Sequence, residues 1–538
     1  MRRPSRRGPR FPATRLAAVM FRQRFLSQGL VLSLLALGIS TAHATDIESL
    51  VPQLASRVDD AGASAQLGAS VGGAGDFNGD GFADVIVGAP GTARGAVANV
   101  GAAYVLYGTS VGLPSQALSE LTAASGVILT GSASTSGAAI GLAVAGVGDF
   151  NGDGRDDVIV GSGIGRFDAS QPGRAWIVFG RAGGVTIDLD ALGSQGMTLT
   201  GAGVGDGFGT VVAGGGSFNG DPRPDVALAA PFGAGLNGEA YVVFGTAAPS
   251  ASLVMTQLDG LSGTRLQEPE SFNLSGVAVA MDGDSNGDGI ADLLVGSFGM
   301  LDGQQRSVGG AYLVHGRSNP GAVISLGALA GADGTRFVGP FYSLSVADSA
   351  GSAVGFLRDR TGDGRDELVI ADPDASPNDR RFSGEVFIVK GSTDFGPSRQ
   401  LGELAPADGW RIQGAAGGDK TGSVLTGQAD VNRDGRADLA VAAPQTTDST
   451  PLGPGRVAIL FDLASASGVV DLAVLVQQRG NGELLVGNAN GRDFGTLAAL
   501  CRNACAGGTL AMGAAATDAQ AGVVYVLGST DRIFWGGF

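Results

Sequence analysis

The chain has 538 residues, of which 93 are glycine, 44% are hydrophobic and 6% aromatic, and its formal net charge is −16. That hydrophobic share is enough for a buried core and excludes a disordered chain. The acidic balance excludes the Lys/Arg patches that nucleic acid or an anionic membrane needs, and the glycine excess points to short strands and tight turns.

The N-terminus carries Arg2, Arg3, Arg6, Arg7, Arg10, Arg15, Arg22 and Arg24 with no acid, then the apolar run Leu30–Ile39, then Ala42-His43-Ala44. A charged region, a short apolar core and a small-x-small site read as a signal peptide over residues 1–44. Ten apolar residues are too few to span a bilayer, and no later stretch resembles a membrane span. An exported protein is expected: periplasmic, cell-surface or secreted. Losing the leader removes 8 of 35 basic and none of 51 acidic residues, which leaves a net charge of −24. Such a surface suits divalent cations as well as solubility.

The next element is Asp76–Pro90, DFNGDGFADVIVGAP. Asp76, Asn78 and Asp80 alternate, Gly81 and Asp84 follow, and the apolar run Val85-Ile86-Val87 comes after them. Alternation inside a glycine turn aims oxygens at one hard cation, the construction of a calcium loop. The stretch returns at 149–163, 217–231, 284–298, 359–373 and 430–444, at intervals of 73, 68, 67, 75 and 71 residues. Another 71 residues reach Cys501, where CRNACAGGTLAMGAA keeps the apolar run and puts Cys501 and Cys505 in the places of Asp76 and Asp80. This is a seventh repeat without its carboxylates.

Around each loop the repeats share a glycine eight residues upstream (Gly68, Gly141, Gly209, Gly276, Gly351, Gly422) and a downstream strand-like run such as AAYVLYG (102–108) or EVFIVKG (385–391). Each unit offers about four short strands in roughly 70 residues. One such sheet cannot bury both faces, whereas a ring of sheets can. Asp46–Leu50 looks like the post-strand segment at Ile187-Asp188-Leu189 displaced to the front, so the N-terminal segment is expected to complete the last unit.

The calcium reading asks for side-chain oxygens at loop positions 1, 3, 5 and 9 and a main-chain carbonyl at 7. Four copies supply Asp, Asn, Asp and Asp. These are Asp76, Asn78, Asp80 and Asp84; Asp149, Asn151, Asp153 and Asp157; Asp284, Asn286, Asp288 and Asp292; and Asp430, Asn432, Asp434 and Asp438. The fifth copy has Asp359, Thr361, Asp363 and Glu367. The carbonyls belong to Phe82, Arg155, Ile290, Arg365 and Arg436. The third copy, Ser217, Asn219, Asp221 and Asp225, lacks one carboxylate and carries Pro222 and Pro224, so it is weak or empty. About five Ca²⁺ sites are expected. An EF-hand is excluded, because it needs a bidentate Glu at position 12, where Val87, Val160, Leu228, Val295, Ile370 and Val441 stand. Plain Asx turns would not need the same oxygens in register six times.

Phe208-Gly209, the DxNxDGxxD loops and Gly88-Ala89-Pro90 together resemble the FG-GAP repeat of integrin alpha-subunit heads and their bacterial relatives. Leu67, Ile140, Ala350 and Thr421 depart from the Phe of that pattern. The resemblance implies an all-β fold over residues 45–538, a seven-bladed β-propeller of four-stranded blades with calcium-binding loops on one face. It also implies a protein or glycan ligand on the opposite face, at loops such as Gly163–Gly173 (Arg166, Asp168), Gly299–Gly309 (Asp302, Arg306) and Asp372–Gly384 (Asp374, Asp379, Arg380, Arg381). The leading expectation is a monomeric adhesion or interaction module. A carbohydrate-active enzyme of the propeller lyase type and a purely structural envelope protein are the alternatives. Catalytic signals are poor: the mature chain has one histidine, His315, inside an apolar strand, and no residue is assigned a catalytic role. Cys501 and Cys505 lack partners for zinc and are expected to form a disulfide.

Overall fold

The structure is a computed structural model that describes residues 44–46, 55–59, 62, 64–131, 137–164, 166, 170–184, 186–268, 273–342, 348–447, 450–451, 455–461, 463, 468–475, 482–486, 496–499, 510–514 and 523–527. The predicted leader lies outside these residues except for Ala44. The cysteine pair lies outside them altogether.

The apolar runs after each loop become strands covered on both faces. In the first repeat Ser70–Gly75, Asp84–Ala89, Ala102–Leu106 and Gly126–Thr130 pair antiparallel in chain order, and Thr186–Asp188 adds in parallel beyond the last. Every residue of Asp84–Ala89 and Ala102–Leu106 is buried. A half-wet strand alternates apolar and polar residues; an uninterrupted run needs cover on both sides. That cover comes from neighbours. Ile86, Val105 and Val127 pack with Val158, Val160 and Trp176 of the second repeat. Val85, Val87, Tyr104 and Leu106 turn the other way, onto Val58, Ala511, Val524 and Val526.

The same two-sided packing runs along the chain, with a core cluster between each repeat and the next. The first strand of each sheet lies beside the first strand of its successor: Ser70–Gly75, Val144–Gly148, Val211–Gly216, Ser275–Gly283, Ala353–Leu357, Val424–Ala429 and Thr496–Ala499. The last of these lies against Ser70–Gly75 again. Leu67, Ile140, Ala350 and Thr421, which replace the expected Phe, are all buried, as is Phe208. Among the described residues no helix is long and apolar enough to cross a membrane.

The N-terminal segment joins this order and completes the last sheet. Ala55–Asp59 pairs antiparallel with Val523–Leu527 as the fourth strand of the last sheet. Ala44–Asp46 pairs in parallel with Gly482–Val486 of the sixth repeat. This repeats the order seen inside the chain, where Thr186–Asp188 pairs with the preceding sheet and Gly196–Val204 supplies the fourth strand of its own. Of the stretch Asp46–Leu50 compared with Ile187-Asp188-Leu189, Asp46 lies in the equivalent parallel strand; residues 47–54 lie outside the described residues.

Val58 is fully buried in this closing strand. Val58→Asp leaves an unpaired charge in the core and is expected to cost about 3–5 kcal/mol. Urea unfolding with Val111→Asp, at a 92% exposed site, as the control checks this.

Candidate metal centres

Each predicted loop is the hairpin between the first two strands of a sheet. A β-bulge precedes the first loop, at Gly73/Gly75, and others stand at the same place in the second, third, fourth and sixth copies. Gly79 and Gly81 have φ of 78° and 89°, the left-handed region that lets the turn close.

The alternating acids are drawn inward by the turn's own backbone. Asp76 Oδ1 accepts from the N–H groups of Gly79 and Asp80 at 2.8 and 2.9 Å, and its Oδ2 from Gly81 at 2.8 Å. Asn78 Oδ1 accepts from Asp80 N–H at 2.8 Å, and Asn78 Nδ2 donates to Asp80 Oδ2 at 2.8 Å. Asp80 Oδ1 accepts from Phe82 N–H at 2.9 Å. The position-7 residues Arg155, Ile290, Arg365 and Arg436 donate their N–H groups in the same way. Asp149, Asp284, Asp359 and Asp430 each collect backbone N–H groups as Asp76 does.

Positions 3 and 5 repeat the pairing of the first copy. Asn151 Nδ2 donates to Asp153 Oδ2 at 2.9 Å, and Asn151 Oδ1 accepts from Asp153 N–H at 2.8 Å. Asn286 Nδ2 donates to Asp288 Oδ2 at 2.9 Å, and Asn286 Oδ1 accepts from Asp288 N–H at 2.9 Å. In the sixth copy Asn432 Nδ2 donates to Asp434 Oδ2 at 3.1 Å, and Asn432 Oδ1 accepts from Asp434 N–H at 2.9 Å. The fifth copy has Thr361 in place of the amide. Its Asp363 instead accepts from the Arg365 side chain at 3.2 Å, and Asp363 N–H donates to Asp359 at 2.9 Å.

Position 9 is different, because its carboxylate is buried beneath the turn. Asp84 accepts from Asn78 N–H at 3.2 Å and from Gly108 N–H, at the end of the third strand, at 2.8 Å. Asp157 accepts from Phe150, Asn151 and Gly180 at 3.0, 3.2 and 2.7 Å. Asp292 takes Ser285 and Gly316 N–H groups and also His315 Nδ1 at 3.2 Å, so the buried histidine is partnered. Glu367 and Asp438 hold the backbone of their loops likewise. Burial pushes Asp84, Asp157 and Glu367 up to about 7 and Asp438 to about 8, against backbone N–H groups that pull the other way.

The single ligand set expected at positions 1, 3, 5 and 9 is therefore divided in the structure, into an open turn of positions 1, 3 and 5 and a buried clamp at position 9. Among the described residues no three Asp, Glu, His or Cys side chains gather tightly enough to enclose a metal ion by themselves. The physical reason is the same in the four copies with the full Asp, Asn, Asp and Asp set. The oxygens of Asn78 and Asp80, Asn151 and Asp153, Asn286 and Asp288, and Asn432 and Asp434 are spent on one another and on the turn's N–H groups, rather than converging on one point with Asp84, Asp157, Asp292 or Asp438. The donors in each turn are nonetheless all oxygen, with two carboxylates at or near solvent, a set that fits Ca²⁺ with water filling its remaining positions.

In the third copy Ser217 Oγ donates to Asn219 Oδ1 at 3.0 Å. Its inward oxygen is already spoken for, and Asp221 and Asp225 keep only their turn and clamp bonds.

Two residues beside the loops escaped the sequence reading. Asp156 Oδ2 accepts from Asp76 N–H at 2.7 Å, and Asp366 Oδ2 from Asp284 N–H at 3.0 Å, each across a seam between repeats. The doubled acids Asp156-Asp157 and Asp366-Glu367 were their only signal.

At the other end of the sheets, the expected ligand loops spend many of their charges on one another. Arg306 Nε donates to Asp302 at 2.7 Å and its guanidinium lies 4.0 Å from the Phe341 ring. Asp374 pairs with Lys420 and Ser349, Arg380 forms a double ion pair with Asp471, and Arg381 lies over Phe382. Asp168 lies outside the described residues. Beneath these loops Asp372 Oδ2 and Asp348 Oδ1 are buried with no hydrogen-bond partner among the described residues. Burial, with the charge of Asp374 beside it, pushes Asp348 up to about 7.

Two outcomes follow from these carboxylates. Asp157→Ala strands three backbone N–H groups, so a loss of about 3 kcal/mol or more is expected in chemical unfolding even with EDTA present. For Asp348 the folded pKa lies above the unfolded one, so its protonated form adds stability below the usual 3.8, and this is lost as pH rises through about 7. Melting curves of Asp348→Asn should accordingly gain on the wild type by a few degrees between about pH 4 and pH 7.

Comparison with known proteins fits this geometry. The model of the FG-GAP repeat matches residues 67–106, 141–178 and 421–460, the first, second and sixth copies. Phosphatidylinositol-glycan-specific phospholipase D of Bos taurus is 34% identical over 169 residues, 30% of this chain and 18% of that protein. The Homo sapiens protein of that name is 33% identical over 169 residues, with the same shares. That of Rattus norvegicus is 34% identical over 182 residues, 32% of this chain and 20% of that protein. The chain thus matches about a fifth of the length of these relatives or less. The chain carries three FG-GAP repeats within an all-β fold of repeated sheets.

Proposed function

We propose that the chain is an extracellular interaction module, a seven-bladed β-propeller whose loops bind calcium for stability and whose opposite face binds a protein or glycan partner. The observation that carries the reading is the recurrence of one oxygen-rich hairpin in the same place on successive sheets. The return of the last inner strand to the first supports ring closure and the blade count. Asp76, Asn78, Asp80, the Phe82 carbonyl and their counterparts in the second, fourth, fifth and sixth copies hold the ion. The position-9 carboxylates, Asp84, Asp157, Asp292, Glu367 and Asp438, anchor the turn and complete the negative field. Calcium neutralises carboxylates that otherwise repel one another, and any ion bound only by the folded chain stabilises it.

The match to phosphatidylinositol-glycan-specific phospholipase D supports an extracellular setting and does not bring that enzyme's activity with it, because most of the enzyme is not matched. The charged loops Gly299–Gly309 and Asp372–Gly384, braced by their own ion pairs, form the partner-facing surface.

Thermal melts in millimolar Ca²⁺ and in EDTA test the metal. At a hundredfold excess over Kd each site adds about 2.7 kcal/mol, so a rise of several degrees is expected, with a smaller rise in Asp80→Ala. Equal melts overturn the calcium reading. A glycan array, run beside pull-down with candidate surface proteins, identifies the partner class; binding abolished by changes at Arg380 and Arg381 places it on that face.

A further inference from the structure

The first residue of the first, third and fourth loops is bonded across the seam between its own sheet and the next. In the first repeat this seam is closed twice: Asp76 N–H donates to Asp156 Oδ2 at 2.7 Å, and Asp156 N–H donates to the Asp76 carbonyl at 3.2 Å. The fourth repeat uses the same device, with Asp284 N–H on Asp366 Oδ2 at 3.0 Å and Asp366 N–H on the Asp284 carbonyl at 2.9 Å. Asp366 also accepts from Asp359 N–H at 3.0 Å through its other oxygen, so one carboxylate holds the first ligands of two successive loops. The second and third seams lack an acid at this place. Ala291 gives Ser217 of the third copy only a backbone bond, at 3.1 Å. Pro224, facing the second copy, has no N–H to give. The residue before this place packs on the preceding loop at all four seams, with the Arg155, Arg223, Ile290 and Arg365 side chains lying against Gly79, Gly152, Gly220 and Gly287, so the acid alone sets the clamped seams apart.

We infer that Asp156 and Asp366 are positioning residues that hold the first and fourth loops in their ligating form from the neighbouring repeat, so that these loops bind Ca²⁺ more tightly than the second. This rests on the calcium reading above. The second loop has the same Asp, Asn, Asp and Asp set, so ligand chemistry does not separate them; preorganisation does. A turn whose first ligand is already fixed at its peptide loses less ordering entropy when the ion arrives. Groups that orient a metal ligand without touching the metal commonly govern affinity by about 10–100-fold. The arrangement also ties occupancy to packing between repeats, because the same two bonds that aim Asp76 join two sheets.

The test is Ca²⁺ titration of the full chain by calorimetry, with EDTA melts alongside. Asp156→Ala should weaken one class of uptake about 10–100-fold. Asp156→Asn, which keeps an acceptor for Asp76 N–H, should restore most of it. In an Asp80→Ala background, where the first loop is already disabled, Asp156→Ala should change the remaining uptake no further. Asp366→Ala should act in the same way on the fourth loop, with a smaller effect on the fifth. Wild-type uptake that Asp156→Ala and Asp366→Ala leave unchanged overturns the inference and spares the calcium reading. Further weakening in the Asp80→Ala background also overturns it, since Asp156 would then act through the whole fold. A wild type that takes up no Ca²⁺ overturns both.

Discussion

The structure depends on one constraint: every sheet is apolar on both faces and can bury neither alone. Asp84–Ala89 is buried throughout its length, with Ile86 committed to the second repeat and Val85 and Val87 to the seventh. A unit so built has no stable existence apart from its neighbours. Two ends would remain wet in an open row. The chain removes them by carrying its first strand back to its last, with Val58 between Val85 and Val524 in one cluster.

The loops answer a second constraint at the rim of these sheets. A hairpin that bends by a bulge and two left-handed glycines leaves several backbone N–H groups turned inward. Carboxylates satisfy them, which explains why the same acids serve the turn and suit a cation. The division of labour is by depth. Asp76 and Asp80 lie at the opening, where charge is cheap, and Asp84 lies under it, where burial raises its pKa and only backbone N–H bonds make its place tolerable. The third copy illustrates the converse: once Ser217 replaces the first acid, its hydroxyl turns to Asn219 and the turn closes on itself.

At the opposite end the loops differ from repeat to repeat, and their charges are largely consumed in ion pairs that brace one loop against another. Arg380 reaches Asp471, 91 residues away, and at the edge of the strands below, Arg411 with Gln413 surrounds the buried Glu385. Such pairs fix the shape of a surface more than they stabilise the fold.

Much of this was legible in the residues alone. The period of the acidic loops set the length of the units, uninterrupted apolar runs called for sheets covered on both sides, and the Asp, Asn, Asp, Asp register marked the candidate ligands. These are local properties, carried by spacing and side-chain chemistry within one repeat. What lies between repeats was not legible. That Ala55–Asp59 closes the last sheet is a matter of pairing across more than 460 residues, settled by which strand finds the open edge beside Val523–Leu527. The role of position 9 as a buried clamp depends on Gly108 and its counterparts just beyond the third strand. The reach of Asp156 and Asp366 across the seams depends on how neighbouring sheets stack. Only the assembled fold brings those backbone groups within hydrogen-bond distance, because nothing in the local sequence of either partner points to the other.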